Sequence, residues 1–192
     1  MTKQSKIVLG VVVAVVVIII LSLVSVYNSL VKGREGVDGA WAQVEAQYQR
    51  RFDLVPNLVE SVKGVMSQEQ KVFGDLAEAR TRYAGAQTPE AKVGAANDME
   101  GALSRLLVVM ENYPQLKSAE VVQTFMAQLE GTENRISVER SRYNDTVKNY
   151  NVSVKTFPRN LVAGWFGFSS RTMFQSAPEA ATAPKVNLEI KK

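Results

Sequence analysis

The apolar positions between Trp41 and Tyr83 recur with the spacing of a helix that packs against other helices. They form two rows of seven-residue steps, the second offset by three residues: Trp41, Tyr48, Val55, Val62, Glu69, Leu76 and Tyr83, then Val44, Arg51, Leu58, Val65, Val72 and Ala79. This three-four alternation is typical of a bundle or coiled-coil helix. It predicts one helix over 41–83, about 65 Å long at 1.5 Å per residue.

Two further helices are predicted after this one. Gly85 is expected to end the first helix in a left-handed conformation, and Thr88-Pro89-Glu90 has the residue types of a helix start. The second helix is expected over 89–112 and the third over 118–157. Successive helices in such a bundle alternate in direction, so the third should run parallel to the first. Pro56, inside the first helix, is expected to bend it without breaking it.

The segment Ile7–Tyr27 is apolar, uncharged and long enough to cross a hydrocarbon core of about 30 Å. A cleavable signal peptide is the alternative, but the apolar run is longer than usual and no small-residue cleavage site follows it. We therefore predict an uncleaved anchor. The α-amine, Lys3 and Lys6 precede the span, and Lys32 and Arg34 follow it. This count slightly favours a cytoplasmic N-terminus with the bulk of the chain outside.

These elements predict an all-α protein: an N-terminal transmembrane helix, then an antiparallel bundle of three long helices and a short C-terminal helix. An Ala/Pro-rich linker ends the chain, and its last residues alternate as a strand would, with disorder as the alternative. The expected boundaries are a tail over 1–6, the transmembrane helix over 7–27, a juxtamembrane segment over 28–40, the bundle over 41–175 and the C-terminal tail over 176–192.

Four charged residues interrupt the apolar rows of the first and third helices: Arg51, Glu69, Glu133 and Arg140. We interpret them as a polar layer that fixes the register of the helices, although Arg51 could instead lie exposed at the bundle edge. A metal site built from Glu69, Glu133 and Asp53 is a weaker alternative, since the chain has no Glu-x-x-His motif to complete a di-iron site.

The predicted helices differ in length, and this difference predicts self-association. The second helix would be about 36 Å long against about 60–65 Å for the others. The apolar residues Trp41 and Tyr48 would then lack a partner within the chain, and such surfaces are usually covered by another chain. Gly33, Gly36 and Gly39 form either a soft hinge or a stripe that lets neighbouring helices approach closely. We predict a homo-oligomer with contacts at these five residues.

Trp165, Phe166 and Phe168 form an aromatic cluster after the third helix. The cluster is expected either in a short helix that closes the bundle or in an anchor at the membrane interface. The first alternative is favoured because a third helix parallel to the first would end away from the membrane.

Composition excludes several classes of function. A net charge of +4 without a block of like charges argues against nucleic-acid binding. The absence of Cys and His removes disulfides, thiol nucleophiles, the commonest general base and the commonest transition-metal ligand. We therefore expect no enzymatic activity, cofactor or metal.

The chain closely resembles the LemA family over nearly its whole length. The matching motifs are Tyr27-Asn28-Ser29-Leu30-Val31, Ala40-Trp41, Arg50-Arg51-Phe52-Asp53-Leu54-Val55-Pro56-Asn57-Leu58-Val59, Ala79-Arg80, Glu111-Asn112-Tyr113-Pro114-Gln115-Leu116-Lys117, Leu129-Glu130-Gly131-Thr132-Glu133-Asn134-Arg135-Ile136, Arg142-Tyr143-Asn144, Tyr150-Asn151, Phe157-Pro158 and Pro184-Lys185-Val186. Phe52 and Gln68 depart from the family, in which histidine is common at these positions. The resemblance implies a bacterial single-pass membrane protein with an antiparallel helical bundle and no established enzymatic activity.

The expected function is therefore a membrane-anchored, non-enzymatic scaffold or adaptor of the bacterial cell envelope that self-assembles. Its expected partners are the lipid bilayer, further copies of itself and an unidentified membrane or envelope protein, and its expected location is the inner membrane. The alternatives are a membrane-remodelling oligomer and, less favoured, a carboxylate-based metal protein or enzyme.

Overall fold

The computed structural model describes residues 3–174, and every regular element in that range is an α-helix. The elements in chain order are α1 (Lys3–Lys63), α2 (Gln70–Gly85), α3 (Pro89–Met110), α4 (Pro114–Lys117), α5 (Glu120–Lys155) and α6 (Arg159–Phe166). The all-α class is confirmed. The predicted terminal strand falls within 185–191 and lies outside the described residues.

The described residues form two compact units. The first, the anchor unit, contains the residues up to Gly33 and those from Asn144 onward, and the second, the bundle unit, contains Arg34–Tyr143. Both α1 and α5 contribute residues to each unit. The predicted juxtamembrane segment 28–40 is helical throughout, and the boundary between the two units falls within it, between Gly33 and Arg34. The interpretation of its glycines as a hinge stays a prediction.

The predicted helix over 41–83 is two helices, α1 and α2, separated by a six-residue turn over 64–69. The turn begins at Gly64, a residue with low helix propensity. Its backbone is satisfied locally, because the amide of Met66 donates to the carbonyl of Val62 at 3.0 Å and the amide of Glu69 donates to that of Met66 at 3.0 Å. The Met66 side chain is fully buried and ties the turn to the core. Pro56 lies inside α1, which continues through it.

In the bundle unit, the turn adds one reversal of direction that the apolar rows did not reveal. Arg51 of α1 pairs with Glu133 of α5, and Tyr48 of α1 binds Arg140 of α5. From the first pair to the second, the residue number decreases on α1 (51 to 48) and increases on α5 (133 to 140), so the two helices are antiparallel. The predicted parallel direction of the third long helix is therefore wrong. The α1, α2, α3 and α5 segments of this unit form a four-helix, up-and-down bundle.

The α2–α3 hairpin has the local signals that the sequence predicts. The Thr88 hydroxyl accepts a hydrogen bond from the amide of Ala91 at 3.2 Å, and Pro89 is the first residue of α3. This cap satisfies an amide that has no partner within the helix. Gly85 does not take the left-handed conformation expected of it. Among residues 3–174 only Gly167, which ends α6, has a positive φ, at 71°.

The anchor unit contains a close approach of two helices at Gly33. A Cβ atom built on Gly33 would lie 3.0 Å from Cδ2 of Tyr150, whose side chain is buried. Any other residue at position 33 would require this tyrosine ring to shift by a few tenths of an ångström. Leu30 and Val147 are fully buried in the same unit. Close packing within the chain therefore explains the glycine at position 33.

Two asparagines of α5 hold the extended segment that follows α6. The side-chain amide of Asn151 donates to the carbonyl of Arg171 and accepts from its amide, both at 2.8 Å. Asn144 makes the same pair of hydrogen bonds with Phe174, at 3.1 and 2.8 Å. Each side chain thus satisfies both backbone groups of one residue, as a neighbouring β-strand would.

The aromatic cluster after α5 lies at the end of the apolar span. The Tyr27 ring contacts Phe166 and Phe168 edge-on, with centroids 4.9 and 5.7 Å apart. Tyr27 is the last residue of the predicted transmembrane segment, so the expectation that the cluster lies away from this segment is wrong. The physical reason is the additional reversal at 64–69, which returns the end of α5 to the level where the span ends.

Candidate functional site

A groove with a volume of about 750 Å³ lies between α3 and α5 in the bundle unit. Its apolar walls come from Leu103, Leu107 and Met110 on α3 and from Val122, Met126 and Leu129 on α5. Polar or small residues complete the lining: Arg51, Glu111, Gln123, Ala127, Glu130 and Glu133. Leu107 and Met126 are half-buried, so both present apolar atoms to a ligand. A groove of this volume and lining is typical of a binding site.

The Arg51–Glu133 ion pair lies in this groove. The Arg51 side chain is 14% exposed and that of Glu133 is 41% exposed. Within the described residues, the buried Nε of Arg51 has no hydrogen-bond acceptor. A buried donor without a partner costs free energy. The groove combines apolar walls with the Arg51–Glu133 ion pair.

The structure brings together only part of the predicted polar layer. Arg51 and Glu133 pair directly, whereas Arg140 donates to the Tyr48 hydroxyl from Nε at 2.9 Å and from Nη2 at 2.6 Å. Glu69 lies in the turn before α2 and joins neither pair. The charges thus link α1 to α5 at two levels and do not form one layer.

The three carboxylates considered for a metal site do not converge. Glu133 pairs with Arg51, Asp53 accepts a hydrogen bond from Gln49 at 3.0 Å, and Glu69 belongs to the turn. Within residues 3–174 there is no group of three Asp, Glu, His or Cys side chains that could hold a metal ion. Several carboxylates of the bundle unit pair with basic residues, as in the Arg82–Asp98 and Arg105–Asp75 pairs at 2.7 Å.

The residues predicted at an oligomer contact are partly covered by their own chain. Tyr48 is buried, and Trp41 is half-buried with its ring edge-on to Tyr143 at 5.9 Å. Gly33 packs on Tyr150, while Gly36 and Gly39 are exposed. The argument that Trp41 and Tyr48 lack a partner within the chain therefore fails, because α5 runs back along α1. Self-association remains a prediction.

A second group of aromatic rings lies in the core of the bundle unit. The rings of Phe52 and Tyr83 stack at 4.2 Å, and Tyr48 meets Tyr83 edge-on at 6.2 Å. Burial raises the pKa of Tyr48 above its usual value near 10, and the neighbouring Arg140 opposes that rise. Burial also raises the pKa of Tyr83, and the charge of Glu45 adds to the effect. Both phenols therefore favour the neutral form when the bundle is folded.

We expect the bundle to lose stability above about pH 10, the pKa of an unperturbed tyrosine. The sign follows from the raised pKa values, since the unfolded chain releases the phenol protons first and binds fewer protons than the folded chain. Stability from this source is complete below about pH 10 and falls as the pH rises. Denaturant unfolding between about pH 8 and pH 11 measures it. Tyr83→Phe should reduce the slope, and an unchanged slope would contradict the assignment.

The apolar rows do not identify Leu107 as a groove residue, although the sequence around it is unusually apolar. Residues 106–110 read Leu-Leu-Val-Val-Met, which is more apolar than one buried helix face requires. Leu106 and Met110 fill the core, Val108 is exposed, and Leu107 lines the groove. An apolar run wider than one face indicates a second apolar contact, but only the packing shows which residue provides it.

The sequence model of the LemA family matches residues 40–188. The chain belongs to the LemA family. The predicted resemblance is thereby confirmed over most of the chain, and the matched residues include those that line the groove. The match begins after the apolar span and covers the bundle from residue 40 together with the rest of α5 and α6.

Among curated proteins, this LemA-family chain is similar to three relatives from bacteria. It is 28% identical to the magnetosome protein MamQ 2 of Paramagnetospirillum magneticum, over 87% of this chain and 71% of the relative. MamQ of Magnetospirillum gryphiswaldense is 26% identical over 85% and 70%. Protein LemA of Metamycoplasma hominis is 20% identical over 78% and 69%. None of these names states an enzymatic activity. With the one apolar stretch of α1, the relatives fit a single-pass membrane protein.

Proposed function

We propose that this chain is a membrane-anchored, non-enzymatic adaptor of the bacterial cell envelope whose α3–α5 groove binds a helical segment of a partner protein. The groove carries the proposal. Its apolar walls suit the apolar face of a helix, which is a common form of peptide recognition. Several ion pairs join different helices, which supports a packed scaffold: Arg51–Glu133, Lys92–Glu45, Arg82–Asp98 and Arg105–Asp75.

The charged residues of the groove favour a basic partner helix. Glu111, Glu130 and Glu133 contribute three negative charges to the lining, and Arg51 contributes one positive charge. The surplus of acidic groups favours a partner helix with basic residues beside its apolar face, because complementary charges fix the register and speed association.

The binding test uses a labelled amphipathic peptide with a leucine face and lysine flanks. Binding to the full chain in neutral phosphatidylcholine nanodiscs is followed by fluorescence anisotropy. Leu107→Asp and Met126→Asp should each weaken binding by about tenfold, equivalent to about 1.4 kcal/mol, because each places a charge against the apolar face. Glu130→Gln should weaken it less, because that residue acts through charge.

Matched controls lie on the same two helices. Val108→Asp on α3 and Val121→Asp on α5 introduce the same charge at exposed positions outside the groove lining. These variants should bind the peptide as the unmodified chain does. Equal weakening by groove and control substitutions, or equal binding of a peptide with glutamate flanks, would overturn the proposed site.

Self-association and location belong to the same proposal. We expect a homo-oligomer in the inner membrane with the bundle outside the cytoplasm. Mass measurement of the particle in mild detergent tests the first statement, and protease accessibility in intact spheroplasts tests the second. A particle containing one chain would refute self-association. A bundle that is protected from protease until the cells are lysed would refute its placement outside the cytoplasm. Neither result would affect the proposed groove.

A further inference from the structure

The segment from Phe157 to the end of α6 has two apolar faces. One face is buried within the anchor unit through Val162 and Ala163. The other consists of large side chains whose exposed fractions exceed one half: Phe157 at 74%, Leu161 at 53%, Trp165 at 77% and Phe166 at 60%. These four exposed side chains, called the patch below, lie within ten residues, and exposed apolar surfaces of this kind mark protein or membrane contacts.

The position of the patch favours the membrane. Phe166 and Phe168 contact Tyr27, which is the final residue of the apolar span. The span itself is exposed along its length, so its lipid-facing surface reaches the level of α6 without interruption. A tryptophan and a phenylalanine at the end of a span are placed where aromatic side chains concentrate in membrane proteins.

The charge around the patch agrees with this position. Between Asn144 and Phe174 the chain has four basic residues, Lys148, Lys155, Arg159 and Arg171, and one acidic residue, Asp145. Lys155 and Arg159 flank the start of α6 and are exposed. Basic residues next to an apolar helix face attract anionic lipid headgroups, whereas a second copy of this patch would repel them.

We propose that α6 is an interfacial helix that lies in the headgroup region of the membrane crossed by residues 7–27. Trp165 and Phe166 enter the boundary between headgroups and acyl chains, and Lys155 and Arg159 bind anionic headgroups. The helix acts as a second attachment point, linked to the span through Tyr27. This inference rests on the membrane anchor of the proposed function and is independent of the groove.

The test measures the depth of Trp165 in vesicles. The chain has two tryptophans, so Trp41→Phe leaves Trp165 as the reporter. The full chain is reconstituted in phosphatidylcholine–phosphatidylglycerol vesicles containing lipids brominated either near the carbonyl end or near the methyl end of the acyl chain. We expect a loss of Trp165 emission that is larger with the shallow bromine than with the deep one, and protection from iodide in the water.

Two control variants separate this inference from its premise. In a Trp41→Phe, Trp165→Phe background, Val16→Trp places the reporter in the middle of the span and should be quenched by the deep bromine. Loss of that quenching would refute the membrane anchor.

Trp165→Phe alone leaves Trp41, which packs on Tyr143 and should be insensitive to bromine. Quenching of Val16→Trp without quenching of Trp165 would overturn the interfacial helix. Shielding of Trp165 from both bromine and iodide would also overturn it and would indicate a protein contact.

The role of charge is tested by neutralisation. Raising the phosphatidylglycerol fraction should increase the quenching of Trp165 by the shallow bromine. Lys155→Gln combined with Arg159→Gln should abolish that increase. Lys71→Gln with Arg80→Gln makes the same change of charge at exposed positions of α2 and should preserve it. If both pairs of substitutions behave alike, the headgroup contact of Lys155 and Arg159 is refuted.

Discussion

Replacing Phe52 with alanine is expected to lower the free energy of unfolding of the bundle by about 3–5 kcal/mol, the range found for phenylalanine-to-alanine changes in cores. Phe52 is 2% exposed and stacks on Tyr83, which in turn contacts Tyr48. Its removal leaves a cavity between α1 and α2 that the long, continuous helix α1 cannot easily close. A domain is stable by only about 5–15 kcal/mol, so the variant should be near its unfolding threshold.

The fluorescence of Trp41, in a chain carrying Trp165→Phe, measures this loss during denaturant unfolding in detergent. Phe52→Leu keeps most of the volume and should cost less than about 1.5 kcal/mol. Phe157→Ala removes the same type of side chain from an exposed position and should change stability by no more than about 0.5 kcal/mol. Similar unfolding midpoints for Phe52→Ala and Phe157→Ala would show that the packing of Phe52 on Tyr83 contributes little to the stability of the bundle.

The second large effect is expected for Gly33→Leu, which should destabilise the anchor unit by about 1–3 kcal/mol through overpacking. Even a Cβ atom would lie 3.0 Å from the buried ring of Tyr150, and a leucine places three more carbons there. Hydrogen exchange of the amides from Asn144 to Lys155 should accelerate by about tenfold or more, because tenfold corresponds to about 1.4 kcal/mol.

Gly39→Leu is the matched control for Gly33→Leu. A Cβ atom at Gly39 meets nothing within 4 Å, and leucine has a higher helix propensity than glycine by up to about 1 kcal/mol. This variant should leave exchange in α5 unchanged and stabilise α1 slightly. If Gly39→Leu dissociated an oligomer instead, the predicted glycine stripe would be a contact between chains. Equal exchange in the two variants would refute the role given to Gly33.

The direction of α5 is the main feature that the apolar rows could not determine. The rows continue in step from Val62 to Leu76 although the helix is interrupted at 64–69. Six residues are close to one seven-residue step, so a turn of that length nearly preserves the phase of the pattern on both sides. Within the turn Met66 is buried and Val65 exposed, the opposite of the predicted row. Gly64 was the local signal for the break.

The contacts at the candidate sites depend on the additional reversal at 64–69. With one more reversal, α5 covers Tyr48 and Trp41, Arg140 meets the Tyr48 hydroxyl, and α6 contacts Tyr27. The groove could not be predicted either, because Leu107 and Met126 are half-buried positions next to core residues. A sequence pattern distinguishes buried from exposed faces, but a position at the margin of a face takes its role from its neighbours in three dimensions.

The sequence by itself determined the features that depend on local physical chemistry. These are the helical class, the apolar span, the capped start of α3 at Thr88 and the end of α5 before Pro158. Each follows from hydrophobic spacing or from the backbone requirements of nearby residues. Only the tertiary structure decided which helix covers each apolar face, that Arg51 pairs with Glu133, and that α6 lies beside the span. The physical reason is that helical periodicity specifies how much surface a helix buries but carries no information about the partner that buries it.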